Sequence, residues 1–143
     1  MRAVIRAPAY WAFCWGSGLA LAQLLSRQPH WVAGKRVVDL GSGSGVAGIA
    51  AALAGAQQVI ACDTDPEARL ATQINAEYNG VSIEVCARMP ATCDLVLMAD
   101  VLYDRQNLPL LALAQQHGQE VLVADSRVTA LPDPRYREIE RIE

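Results

Sequence analysis

Aromatic residues make up only 6% of these 143 residues, with a single Phe, and histidine occurs just twice. Lysine is almost missing: Lys35 stands alone beside eleven arginines, and fifteen acids outnumber twelve bases for a formal net charge of −3. Such a balance offers no basic stripe for a phosphate backbone, so nucleic acid is not expected as the main partner. No apolar run reaches the roughly eighteen residues of a membrane span, so a membrane is not expected either. The four cysteines (Cys14, Cys62, Cys86 and Cys93) form no C-x-x-C pair, and His30 and His117 have no ligand-like spacing to them. No metal site is expected from that set. Thiols placed in apolar runs behave as small hydrophobes and suit a reducing compartment. Arg2 and Arg6 precede an apolar stretch ending Ala20-Leu21-Ala22, the outline of a secretory leader, but Pro8, Gly16, Ser17 and Gly18 interrupt it. The expected location is therefore the cytoplasm.

What is present is apolar mass. At 52% apolar and 19% charged, the chain has enough material for a single domain with its own core. Residues 1–33 form an aromatic N-terminal segment and a helix, residues 34–125 the core, and residues 126–143 a short C-terminal edge.

Residues 17–27 read as a helix with Ser17 as N-cap, and Pro29 follows where it must have stopped. Lys35–Leu40, with its paired valines between Gly34 and Gly41, reads as a buried strand. The alanine-rich residues 44–54 predict a helix closed by Gly55 in a left-handed conformation. Gln58–Cys62 predicts a strand, and Asp65-Pro66 opens a helix that runs to Tyr78 and stops at Asn79-Gly80. Val81–Val85 and Asp94–Ala99 follow as strands, then a helix over 106–117 closed by Gly118, then a strand at Glu120–Ala124. Tyr136–Ile142 alternates polar and apolar residues, the pattern of an edge strand. Strands alternating with helices predict an α/β fold: a doubly wound, mostly parallel sheet with helices on both faces. Its ligand belongs at the carboxyl ends of the strands, where the strand order reverses.

The first strand leads into Asp39-Leu40-Gly41-Ser42-Gly43-Ser44-Gly45, directly before a helix. Alternate glycines let the backbone turn tightly and approach a ligand, and the free amides of the helix start favour a carboxylate or phosphate. A dinucleotide fingerprint counted from Gly41 requires glycine where Val46 stands. An acid followed by G-x-G-x-G is instead the pattern of S-adenosylmethionine enzymes. Asp63, the first acid after the second strand, is placed to accept both hydroxyls of a ribose; Asp65 is left to cap the next helix. Asp39 reads either as a partner of the methionine ammonium or as an anchor for loop amides. No Gly-Lys-Ser/Thr follows the glycines, which excludes a Walker loop, and neither Ser42 nor Ser44 has a histidine placed for a nucleophile elbow.

Three segments together resemble the seven-strand methyltransferases grouped as family 16, especially the electron-transfer-flavoprotein β-subunit lysine methyltransferases and their bacterial relatives. They are Pro8-Ala9-Tyr10-Trp11-Ala12-Phe13-Cys14-Trp15, the glycine loop with Asp63-Thr64-Asp65-Pro66, and Asp100-Val101-Leu102-Tyr103 after the fourth strand. The resemblance implies an S-adenosylmethionine site lined by Trp15, Asp39, Gly41, Ser42, Gly43, Gly45 and Asp63. It implies that Asp100 and Tyr103 face the methyl acceptor as catalytic residues, with no metal. The expected acceptor is a lysine of a cytosolic protein, with the flavoprotein β subunit as a candidate. A lysine ammonium with a pKa near 10.4 must shed a proton before attack; a carboxylate can orient the amine and an aromatic face can hold its cationic form.

Two features depart from that family. Cys86-Ala87-Arg88-Met89-Pro90, after the third strand, carries no acid for an adenine amino group, which leaves backbone groups and apolar packing to hold the base. Beyond Asp125 only eighteen residues remain, room for one further strand, so an incomplete C-terminal edge is expected. The competing readings are a nicotinamide-type small-molecule N-methyltransferase and a cofactor- or partner-binding module without turnover. Asn75 and Asn79 carry no assigned role.

Overall fold

The computed structural model describes residues 16–102, 105–128 and 130–142. Its elements are α1 (Gly16–Arg27), a 3-10 turn (Pro29–Trp31), β1 (Arg36–Leu40), α2 (Val46–Leu53), β2 (Gln58–Cys62) and α3 (Pro66–Tyr78). After these come β3 (Glu84–Cys86), β4 (Cys93–Ala99), a second 3-10 turn (Arg105–Asn107), α4 (Pro109–His117) and β5 (Gly118–Ala124). The five strands form one parallel sheet in the order β3-β2-β1-β4-β5. The chain winds outward from β1 to β3, then crosses back to lay β4 on the other side of β1. The connections leaving the carboxyl ends of the paired strands β1 and β4 therefore run to opposite faces of the sheet and open a crevice between them.

Both faces of the sheet are covered. Leu21, Leu24 and Leu25 of α1 and Ala47 and Ala51 of α2 meet Val37, Val59, Leu95, Leu97 and Leu122 on one face. On the other, Leu111 and Ala114 of α4 meet Val38, Ile60, Val96 and Met98. Loop residues Met89, Val128, Leu131 and Tyr136 complete that second face, so it carries fewer helices than the first.

The expected helices and the five expected strands up to Ala124 form, with shifts at their ends that have local causes. Helix α3 ends in a Schellman motif: Gly80 N–H donates to Glu77 O and Val81 N–H to Ala76 O, both at 3.0 Å, with Gly80 at φ +68°. That closure consumes Val81, and β3 shrinks to three residues. Pro109 cannot sit inside a helix, so α4 starts there rather than at 106, behind the 3-10 turn. Gly118 stops α4 in extended rather than left-handed backbone; an added Cβ would lie 2.7 Å from Val96 Cγ2. Ser17 lies in the first turn of α1 and is not its cap, because its groups are drawn to Asp100.

Tyr136–Ile142 does not form the expected edge strand. Tyr136 packs on the α4 face of the sheet, whereas Glu140 pairs with Arg27 of α1 at 2.8 Å. The segment thus joins a residue packed on the α4 face to one paired with α1, and adds no strand to the sheet.

Candidate functional site

A cleft of about 410 Å³ opens at the carboxyl ends of the strands. It gathers Asp39, Gly41, Ser42, Gly43, Asp63 and Asp100 from the residues expected at the site, together with Gly18, Thr64, Ala87 and Asn107. Trp15 and Tyr103, also expected there, lie outside the described residues. Gly45 does not line the cleft but backs it: at φ +90°, its added Cβ would lie 2.9 Å from Thr72 Cγ2.

The glycine loop is built by strain that other residues could not carry. Gly41 leaves β1 at φ +73°, and an added Cβ there would meet Val101 Cγ2 at 3.0 Å. Glycine alone satisfies both the left-handed backbone and the close approach of the chain leaving β4. Behind the loop, Thr72 Oγ1 donates to Gly43 O and Asn75 Nδ2 to Ser44 O, each at 2.9 Å.

The aspartates are held by backbone amides. Asp39 is 2% exposed, and its Oδ2 accepts from Gly48 N–H in the first turn of α2 at 2.9 Å. Burial pushes its carboxyl up to about 7, against the lowering effect of the Gly48 amide, and the charge of Asp63 adds to the rise. Asp63 accepts from Gly43 N–H at 2.9 Å and from Asp65 N–H at 3.0 Å, so one carboxylate ties the glycine loop to the end of β2. Asp65 caps α3 by accepting from Glu67 N–H at 2.9 Å.

Asp100 closes the other side. It adopts φ +52°, within the left-handed region, and its own N–H donates to Ala124 O at 2.9 Å. Its carboxylate takes Ser17 N–H at 3.0 Å, Ser17 Oγ–H at 2.5 Å and, more distantly, Ser126 Oγ–H at 3.5 Å. Helix α1 is therefore anchored to the rim by the same carboxylate that was expected to face an acceptor. Three of about four acceptor positions are used, leaving room for one more donor.

Several features fit an S-adenosylmethionine molecule. Ser42 Oγ is buried without a hydrogen-bond partner at the cleft wall, a group that a polar ligand would satisfy. The first amides of α2 have no intrahelical acceptor and suit a carboxylate. Four aspartates line the cleft (Asp39, Asp63, Asp65 and Asp100), and among the described residues no Lys, Arg or His does. That field attracts a cationic sulfonium or amine and repels a pyrophosphate. At the β3 end the wall is Ala87, in keeping with an adenine held by packing rather than by an acid. No group of three metal-ligating side chains occurs among the described residues.

The sequence pattern does not show the roles of Ser17 and Thr72. Ser17 has the position of a helix cap, but its partner lies 83 positions away. Thr72 sits between Ala68 and Ala76 at four-residue spacing, a buried small-residue stripe that fixes which face of α3 meets the loop.

The family model described as Ribosomal protein L11 methyltransferase (PrmA) matches residues 19–117. The electron transfer flavoprotein beta subunit lysine methyltransferase of Danio rerio is 39% identical over 139 residues, covering 90% of this chain and 54% of that protein. Among solved structures, a putative RNA methyltransferase from Pyrococcus horikoshii matches with a TM-score of 0.63 at 25% identity, over 74% of this chain and 57% of that one. The ribosomal protein L11 methylase of Lactobacillus delbrueckii subsp. bulgaricus matches with a TM-score of 0.60 at 30% identity, over 75% and 57%. The chain spans about half the length of the curated relatives it matches.

Proposed function

Because the chain belongs to the ribosomal protein L11 methyltransferase family, we propose that it transfers a methyl group from S-adenosylmethionine to a lysine amine of another protein. The observation that carries this reading is the wall of the cleft: four aspartates with no basic side chain among its described residues, around a buried, unpartnered Ser42 hydroxyl. Asp63 and Ser42 would bind the ribose side, the loop and first-turn amides of α2 the methionine carboxylate, and Asp39 the methionine ammonium. S-adenosylmethionine, when bound, supplies an electrophilic methyl on a positively charged sulfur.

The remaining chemistry is positioning. Asp100, with one acceptor position left on its carboxylate, orients an incoming amine and stabilises it as its proton leaves for solvent. A reaction between two held partners draws most of its rate from that orientation. The absence of cationic side chains from the described wall favours a cationic acceptor over an anionic one. Relatives named for a flavoprotein subunit and for a ribosomal protein both point to a protein substrate; the flavoprotein β subunit is the first candidate. A reducing cytoplasm accords with free Cys62, Cys86 and Cys93.

Purified protein is incubated with methyl-labelled S-adenosylmethionine and, separately, flavoprotein β subunit, ribosomal protein L11, nicotinamide and RNA. Label in a protein band, with a methylated lysine found by mass spectrometry, is expected. Label in nicotinamide or RNA overturns the acceptor class. Donor binding without transfer to any acceptor leaves a binding module.

A further inference from the structure

Helix α3 stands behind the glycine loop and supplies none of the residues that recognise the donor in the reading above. Two of its side chains nevertheless decide how the loop lies. Thr72 is fully buried, and its hydroxyl donates to Gly43 O at 2.9 Å; Asn75, one turn on, donates through Nδ2 to Ser44 O at 2.9 Å. Residues three apart share a helix face, so the two grips fall on successive peptides of the loop.

The direction of pull matters. In a trans peptide the C=O and the following N–H point opposite ways. Drawing Gly43 O back towards α3 turns the Ser44 N–H away from the helix, to the side on which Ser44 lines the cleft. The Asn75 grip fixes the next peptide, whose Gly45 N–H closes on Ser42 O at 2.8 Å. Gly45 leaves no slack behind the turn, because its added Cβ would lie 2.9 Å from Thr72 Cγ2 and 3.1 Å from Thr72 Oγ1.

We propose that Thr72 and Asn75 are positioning residues that aim the Ser44 amide at the carboxylate of the donor's amino-acid moiety; this rests on the donor reading given above. Neither residue touches the donor. Both set in advance an amide that would otherwise have to be ordered when the ligand arrives, and preorganisation of that kind adds to affinity.

The test compares two ligands in calorimetry: S-adenosylmethionine, which has the amino-acid moiety, and 5′-methylthioadenosine, which lacks it. Thr72→Val keeps the shape and removes the donor. It is expected to weaken S-adenosylmethionine binding about tenfold, equivalent to about 1.4 kcal/mol, while leaving methylthioadenosine binding within about twofold. Thr72→Ser restores the hydroxyl and should restore the affinity. Asn75→Leu, at a half-buried position, should weaken the first ligand severalfold and spare the second, and it serves where Thr72→Val does not fold. Equal losses for both ligands, or no loss for either, overturn the positioning role and leave the donor reading standing. Wild-type protein that binds neither ligand overturns the donor reading itself. In the ligand-free protein, faster hydrogen exchange at the Gly45 amide, which closes on Ser42 O, in Thr72→Val than in Thr72→Ser supports the grip; unchanged exchange overturns it.

Discussion

The two sides of the cleft are assembled over very different sequence distances. On the β1–β2 side, Asp39 reaches an amide 9 positions away and Asp63 one 20 positions away, all within one β-α-β unit. On the β4 side, Asp100 reaches Ser17 across 83 positions, from a left-handed backbone. The first side takes shape from glycines and short connections; the second is complete only when α1 docks. On the proposed function, the locally built side takes the one fixed donor, and the rim held by a separate helix faces the acceptor, which differs in name between the relatives.

The largest effect is expected where the local side is most concentrated. Asp63 holds the Gly43 amide and, with donor bound, would accept two ribose hydroxyls. Hydrogen bonds to a charged group contribute about 1.5–3 kcal/mol each. Asp63→Ala should therefore weaken S-adenosylmethionine binding on the order of a thousandfold by calorimetry. A loss below tenfold in a folded variant would transfer recognition from the carboxylate to the loop amides and remove the contrast between the two sides.

That contrast also explains what could be read from the chain. The parallel sheet was legible because its strands are short valine- and leucine-rich runs separated by glycine and Asp-Pro signals. The glycine loop and Asp63 were legible because their partners are close in sequence and their backbone demands glycine at 41 and 45. Ser17 was misread because a serine before an apolar helix looks the same whether it caps that helix or meets an aspartate far along the chain. Thr72 and Asn75 were missed because the Ala68-Thr72-Ala76 stripe tells which face of the helix is buried but not that loop carbonyls lie against it. Tyr136–Ile142 was misread because alternation gives a segment two faces without deciding whether a strand edge takes it; here Tyr136 packs on the α4 face and Glu140 pairs with Arg27 of α1.

A smaller, pH-dependent effect should separate the two readings of Asp39. Its carboxyl titrates near 7 in the folded protein and near 3.8 when unfolded. The folded state therefore holds a proton that the unfolded state has lost, and stability falls as pH rises from about 4 to about 7, then levels off. At most this is worth about 4 kcal/mol, with relaxation of the site lowering it. Asp39→Asn keeps an oxygen for the Gly48 amide and should flatten the profile of melting temperature against pH. A wild-type profile already flat over that range would refute the buried, protonated carboxyl. Donor affinity that rises with pH through 7 in wild type, but not in Asp39→Asn, assigns Asp39 to the methionine ammonium; equal profiles assign it to anchoring α2.

The smallest effects on stability are expected at the assembled side, and there the division between stability and rate is informative. Asn tolerates left-handed backbone nearly as well as Asp, and Asp100→Asn keeps one oxygen for Ser17, so unfolding should change by only about 1 kcal/mol. Methyl transfer should nonetheless fall at least tenfold in kcat, because a neutral amide neither attracts a cationic amine nor stabilises its approach. Ser17→Ala removes one donor and leaves the carboxylate in place. It should cost about 1 kcal/mol in stability with at most a severalfold change in kcat and no change in donor affinity. Should Asp100→Asn instead lower the melting temperature as Ser17→Ala does and leave kcat untouched, Asp100 would be the anchor of α1 alone. Amine orientation would then have to come from elsewhere on the rim.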